Sequence, residues 1–249
     1  IEENMVEGIK NNVFGTNNLV KVAINEKVKN FTFVSTDKAV RPTNIMGASK
    51  RIGEIICQLS SKKQDNTIFS IVRFGNVLDS SGSVVPRFRE QIAKGGPVTV
   101  THKDITRYFM TIPEAAQLVI QASAMAQNAN IFVLDMGEPF KIINLAERMI
   151  KLHGFNIYIS TDDKKKNDND IEIVFTGLRK GEKLYEELLI GDKPEKTSHP
   201  RIISCKEESL SQKELDDLLA ELKFACDYND NIKIPKILSS FNLGFKLIK

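Results

Sequence analysis

Phe31-Thr32-Phe33-Val34-Ser35-Thr36-Asp37-Lys38-Ala39-Val40-Arg41-Pro42-Thr43-Asn44-Ile45-Met46-Gly47-Ala48-Ser49-Lys50 is the stretch that decides the fold. Phe31 to Ser35 is short and rich in aromatic and β-branched residues, the composition of a buried strand. Pro42 breaks the chain after it. A helix is then expected from about Ile45 to Ser60, with Ile52, Ile55, Ile56 and Leu59 on its inner side. The alcohol, acid and amine of Thr36, Asp37 and Lys38 therefore fall at the carboxyl end of a strand, where open α/β sheets place their ligands. Met46 and Lys50, four apart, project from one face of the helix that follows.

Working outward, Met5, Ile9, Val13, Leu19, Val20, Ala23 and Ile24 recur at helical intervals, and Glu2 and Glu3 suit a helix start. Ile68 to Phe74 and Ile131 to Leu134 read as further strands. Strand and helix alternate, which predicts a parallel α/β sheet. The texture changes after Gly82. Gly95-Gly96-Pro97 marks a turn, Val98 to Val100 a short strand, and Ile112-Pro113-Glu114 a helix start. Ser160 to Asp170, with Lys164, Lys165 and Lys166, is polar enough to be a solvated loop. Ile171 to Phe175 is expected as a strand, Glu182 to Leu189 as a helix, and the Leu215, Leu218, Leu219, Leu222 pattern as an amphipathic helix near the tail.

Composition narrows the function classes. The chain has 249 residues, 41% hydrophobic and 27% charged, with a net charge of +3. That allows one large domain with a smaller lobe. Lys and Arg are interleaved with acids, which argues against a nucleic-acid partner. Cys57, Cys205 and Cys226 stand far apart, and neither they nor His102, His153 and His199 show metal-ligand spacing. No metal is expected, and the thiols read as reduced in a cytoplasmic protein. No uncharged apolar run approaches the ~20 residues that span a bilayer, so no membrane contact is expected from this segment.

The stretch from Ser35 to Lys50 resembles the active-site segment of the extended short-chain dehydrogenase/reductases, which carry a Tyr four residues before the Lys. Met46 stands in place of that Tyr. With Ser35-Thr36-Asp37-Lys38-Ala39, this departure resembles the polysaccharide-biosynthesis nucleotide-sugar dehydratases of the UDP-N-acetylglucosamine 4,6-dehydratase type. Further segments look like that family in its order: Asn12-Val13-Phe14-Gly15-Thr16, Arg73-Phe74-Gly75-Asn76-Val77, Gly96-Pro97-Val98-Thr99-Val100-Thr101, Thr106-Arg107-Tyr108-Phe109-Met110, Phe132-Val133-Leu134-Asp135-Met136-Gly137-Glu138 and Thr176-Gly177-Leu178-Arg179-Lys180-Gly181-Glu182-Lys183. The likeness runs from about Asn4 to Arg201.

The resemblance implies a partial Rossmann-type parallel sheet, lacking the family's first four strands, with a smaller α/β substrate-binding lobe. The expected division is 1–80 for the end of the NAD(P)-binding domain, 81–205 for the lobe with strand 131–134 returning to the sheet, and 206–249 for a helical extension. The cofactor implied is NAD or NADP, whose glycine-rich pyrophosphate turn would precede this chain. The partners implied are a UDP-sugar and a second copy of the chain, in a homodimer or larger homo-oligomer. Full-length relatives can be anchored to the inner membrane by preceding helices.

Site roles follow from the resemblance residue by residue. Asp37 would be the acid and Lys38 the base of dehydration, with Thr36 positioning the carbon 4 hydroxyl and Met46 packing beside it. Lys50 would hold the nicotinamide ribose, with Asn12, Ser35, Arg73 and Asn76 around the cofactor. Asn76, Arg87, Arg107 and Arg179 would meet the substrate phosphates, Val98, Thr99 and Val100 the uracil, and Glu182 the ribose hydroxyls. Two rivals stay open: a UDP-sugar 4-epimerase of the same class, and an inactive fragment that binds nucleotide sugar without turning it over.

Overall fold

The computed structural model describes residues 1–127, 129–159, 167–189, 194–207 and 209–247. It opens with α1 (Met5–Ile9), a π-helical turn (Lys10–Gly15) and α2 (Thr16–Asn25), followed by β1 (Asn30–Val34). A 3-10 turn (Asp37–Ala39) leads into α3 (Ile45–Ser61) and β2 (Ile68–Arg73). Next come β3 (Asn76–Val77), α4 (Val84–Ala93), β4 (Val98–Val100), β5 (Thr106–Arg107) and β6 (Phe109–Met110). Then follow α5 (Ile112–Met125), β7 (Asn130–Leu134), β8 (Phe140–Lys141), α6 (Ile142–Leu152), β9 (Asn156–Ile159) and β10 (Asp170–Phe175). β11 (Glu195–Lys196), β12 (Ile202–Cys205), α7 (Gln212–Asp227) and α8 (Lys233–Ser240) complete the described chain.

Contacts divide it into two compact units. The first comprises residues 1–74, 116–135 and 187–249, and is built on a five-stranded sheet of order β1-β2-β7-β12-β11. β1, β2 and β7 run parallel, as expected, and β12 and β11 are added antiparallel. β2 is almost wholly buried, which fits a parallel strand covered on both faces. α3 forms the β1-to-β2 crossover and turns Ile45, Ile52, Ile55, Ile56 and Leu59 into the core, with Phe33, Phe69 and Ile71 from the strands. Leu215, Leu218 and Leu222 of α7 and Ile234 and Leu238 of α8 join the same core. α7 and α8 fall within this unit because their apolar faces pack into its core.

The second unit comprises residues 75–115 and 136–186, so the division falls at residue 74 and not at 80. Its sheet has the order β4-β10-β9, all parallel, covered by Phe88 and Ile92 of α4 and by Ile142, Ala146, Met149 and Ile150 of α6. The helix expected over Glu182 to Leu189 does not form. Its backbone is used outward instead: Leu184 O accepts from Thr106 N at 3.2 Å, and Glu182 turns toward Arg107. The expected loop 160–170 lies outside the described residues as far as residue 166. Cys57, Cys205 and Cys226 are all buried free thiols. No helix among the described residues is long and apolar enough to cross a membrane.

Candidate active site

β1 delivers the first group of side chains. Its parallel pairing with β2 continues one step past the strand, through Ser35 N to Val72 O at 2.8 Å and Asp37 N to Phe74 O at 3.1 Å. The chain then tightens into the 3-10 turn, which Thr36 caps by accepting from Lys38 N at 3.4 Å. That bend overcomes the strand's tendency to point neighbours to opposite faces. Thr36 Oγ1 donates to Asp37 Oδ1 at 2.8 Å, and Lys38 Nζ donates to the same oxygen at 2.9 Å. Asp37 is completely buried, and its Oδ2 has no hydrogen-bond partner among the described residues. Buried polar atoms are nearly always satisfied, so such an orphan marks a place where a ligand atom or water completes the structure. The alcohol, acid and amine quoted from the sequence thus converge on one carboxylate.

α3 brings the second group. Its free N–H groups are satisfied from two directions. Asn44 Oδ1 accepts from Gly47 N at 2.8 Å, and the Glu2 carboxylate accepts from Ile45 N at 3.1 Å and Met46 N at 3.0 Å. Gly47 lets this helix end approach the 3-10 turn: a Cβ there would stand 2.1 Å from Lys38 O. Met46 is half-buried beside that contact. Lys50, one turn on, donates from Nζ to Val34 O at 3.1 Å and stands 4.9 Å from the Phe33 ring centroid. Burial pulls the Lys50 ammonium below the usual lysine range, and the nearby Glu54 charge opposes that. Asn12 lies on the π-helical turn, a feature frequent at functional sites, and its Nδ2 donates to Ser49 Oγ at 2.9 Å. Asn12 is thereby oriented from α3, next to the Met46–Lys50 face.

Behind these groups lies a buried cluster of charges. Arg73 is fully buried. Its Nε and Nη2 donate to the two Glu54 oxygens at 2.7 and 2.6 Å, and its Nη2 also donates to Glu207 Oε2 at 2.8 Å. Arg51 joins both acids, at 3.0 Å to Glu54 and 2.9 Å to Glu207. Ser35 Oγ donates to Glu54 Oε1 at 2.6 Å. Burial alone would push the Glu54 carboxyl up, but Arg73 and Arg51 outweigh it and hold the group below the usual carboxylate range. Two expectations are corrected here. Arg73 and the Ser35 hydroxyl, read as cofactor contacts, are committed to Glu54 and Glu207 inside the protein, with no face of the guanidinium left exposed. Their task is to fix the ends of β1 and β2. Sequence reading overlooked Glu54, although a carboxylate among Ile52, Ile55 and Ile56 on an apolar helix face was a usable signal of buried pairing.

The second unit holds a cavity lined by Asn76, Arg87, Thr99, Arg107, Arg179 and Glu182, all expected on the substrate side. Val98 and Val100 are corrected: both are buried in the core of this unit, because alternation along β4 turns only Thr99 to the cavity. Arg107 is pinned by Glu182 at 3.1 Å and Glu186 at 3.7 Å. Arg87 and Arg179 are exposed, and their guanidinium groups have no ion-pair partner among the described residues. Glu182 also accepts from Arg179 N at 3.0 Å and Thr101 Oγ1 at 3.3 Å. Three guanidinium groups against one lining carboxylate give the cavity the charge of an anion site. Ser83 was not foreseen. It stands at the N-terminus of α4 in the cavity wall, with a buried hydroxyl that has no partner among the described residues.

Comparison with known proteins agrees with this architecture. The chain is 53% identical to the capsular polysaccharide biosynthesis protein CapD of Staphylococcus aureus over 189 residues, covering 76% of this chain and 30% of that protein. It is 35% identical to a UDP-glucose 4-epimerase of Rickettsia rickettsii over 198 residues, covering 79% of this chain and 54% of that enzyme. The chain thus spans about a third of one relative's length and about half of the other's. Among solved structures, Pen from Bacillus thuringiensis superposes with a TM-score of 0.72 at 32% identity, covering 89% of this chain and 71% of that one. The sheet of the first unit is accordingly part of a Rossmann-type α/β fold. Polysaccharide biosynthesis proteins match as a family over residues 1–207, and it is to that family that the chain belongs.

Proposed function

We propose that this chain is the catalytic part of an NAD(P)-dependent nucleotide-sugar 4,6-dehydratase that acts on UDP-N-acetylglucosamine in the making of surface polysaccharide. The observation that carries the reading is the convergence of Thr36 and Lys38 on one oxygen of a buried Asp37. Loss of water across carbons 5 and 6 needs an acid for the departing hydroxyl and a base for the neighbouring proton, held side by side. Epimerisation at carbon 4 needs no such pair.

A nicotinamide cofactor, when bound, would supply a reversible hydride acceptor, so that the overall reaction would be loss of one water without net oxidation. The chain's residues fit that group: Lys50 presents an ammonium at the carboxyl end of β1, and the orphan Asp37 Oδ2 needs a partner. Thr36 positions the carbon 4 hydroxyl, whose proton leaves to water when carbon 4 becomes a ketone. Lys38 removes the carbon 5 proton from that ketone and hands it back to carbon 5 at the end of the cycle. Asp37 gives its proton to the carbon 6 oxygen, which leaves as water, and regains one from solvent. Asn76, Arg87, Arg107 and Arg179 hold the UDP phosphates, Thr99 lies beside the base, and Glu182 accepts from ribose hydroxyls. Asn12 orders water beside the α3 face.

The likeness to a UDP-glucose 4-epimerase supports a second reading, a 4-epimerase of the same class. Incubation with UDP-N-acetylglucosamine and NAD or NADP separates the two by mass. A 4-keto-6-deoxy product lighter by one water supports the dehydratase. An unchanged mass with inverted carbon 4 sinks it in favour of the epimerase.

A further inference from the structure

The family match ends at residue 207, yet the chain beyond it returns to the catalytic turn. Leu243 and Phe245 are buried in the core of the first unit. The backbone around them lies against the loop that joins the 3-10 turn to α3. Lys246 N donates to Pro42 O at 3.0 Å. Gly244 has φ +68, and a Cβ there would come to 3.7 Å from Arg41 Cα. Arg41 itself has φ +41, a left-handed conformation unfavourable for a residue with a side chain. Such a conformation persists only where the surroundings over-determine it. The second tie on Arg41 is its ion pair with Glu187 at 2.6 Å.

Arg41 lies between Lys38 and Met46, so its backbone sets how the turn meets the helix. The turn is anchored upstream by β1 pairing and downstream by the close approach of Gly47 to Lys38 O. Between those anchors, Val40 and Thr43 are buried and the chain must reverse through an unfavourable φ. Without an outside hold, relaxation at Arg41 would move Lys38 and alter its distance to Asp37.

We propose that Phe241 to Leu247 is a strap that positions Asp37 and Lys38, and that Lys246 is a positioning residue acting through its backbone N–H. The proposal rests on the catalytic reading of Thr36, Asp37 and Lys38 given above. The strap sets the turn's geometry without touching substrate or cofactor.

The test uses the intact protein. Lys246→Pro removes the donor and leaves Leu243 and Phe245 in place. The expected result is about five-fold faster hydrogen exchange at the Ala39 and Val40 amides, the worth of one net hydrogen bond. Exchange in β2 stays as in wild type. The kcat for sugar turnover falls while KM holds. Lys246→Ala, which keeps the N–H, restores both readouts. Glu187→Gln, at a solvent-exposed ion pair, gives a smaller acceleration at the same amides and guards against a proline variant that fails to fold. Unchanged exchange at Ala39 and Val40 in both Lys246→Pro and Glu187→Gln overturns the strap, as does an acceleration spread equally through β2. Absence of turnover in the wild type would defeat the dehydratase reading, while the exchange comparison would still decide on the strap.

Discussion

Lys38 Nζ lies 2.9 Å from Asp37 Oδ1, yet the two side chains differ in exposure: Asp37 is at 0% and Lys38 at 22%. The amine is the solvent-facing member of the pair and the carboxylate the enclosed one. A sugar bound at this turn would meet an acid and a base held within hydrogen-bond distance of each other.

Asp37→Asn and Lys38→Met should each lower kcat by about 10²–10⁴-fold, the usual contribution of a positioned acid or base. The double variant should be little worse than either single one, because the two act as a unit. Rates of 4-keto product formation check this. Fully additive losses would show that the two residues work independently.

Gly47→Ala should damage both stability and turnover. The added Cβ would meet Lys38 O at 2.1 Å, and the obstacle is backbone that cannot rotate away. The expected cost is about 1–3 kcal/mol of stability, as for other overpacked sites, with kcat falling further than the stability loss explains. Denaturant titration and steady-state kinetics on one preparation separate the two effects.

Much of the first unit was legible in the sequence because its signals are local. Phe31 to Ser35 alternates with a helix whose apolar face is regular, and the structure returns β1 and α3 within a residue or so of the expected ends. α6 was equally regular, with Ile142, Ala146, Met149 and Ile150 on one face, and was missed. The Glu182–Leu189 error has a different cause: Glu, Lys and Leu favour helix, but Arg107 and the Thr106 N–H draw the segment into an irregular path. The Arg73–Glu207 contact spans 134 positions, and no local pattern announces it. The same holds for Lys246 at Pro42. Asn76, Arg87, Thr99, Arg107, Arg179 and Glu182, grouped together from the sequence, do line one cavity, whereas strand alternation turns Val98 and Val100 into the core.

Arg87→Ala and Arg179→Ala should raise KM for the UDP-sugar by about ten-fold each, the scale of a lost hydrogen bond to a charged group, with a smaller change in kcat. Lys at either position should rescue only in part, because an ammonium cannot reproduce the planar fork that matches phosphate oxygens. The salt dependence of KM should flatten in both variants. Equal losses in kcat would instead place these residues at the reacting carbons.

Glu54→Gln should reshape the acid limb of stability. Burial raises the Glu54 carboxyl and its two arginines lower it further, so its folded-state value lies below the ordinary 4.5. A depressed carboxylate contributes stability that is fully present above the unfolded value and is lost as pH falls through the folded one. Wild-type stability should therefore decline as pH drops below about 4.5, and Glu54→Gln should remove part of that slope. At neutral pH the variant leaves Arg73 and Arg51 with one acid, Glu207, between them, a loss of about 3–5 kcal/mol for a broken buried pair. Ser35 loses its charged acceptor as well, so the end of β1 should loosen and kcat should fall with stability. Urea titrations between pH 3 and 7 check the slope; parallel curves for wild type and variant would show that Glu54 is not the group that titrates.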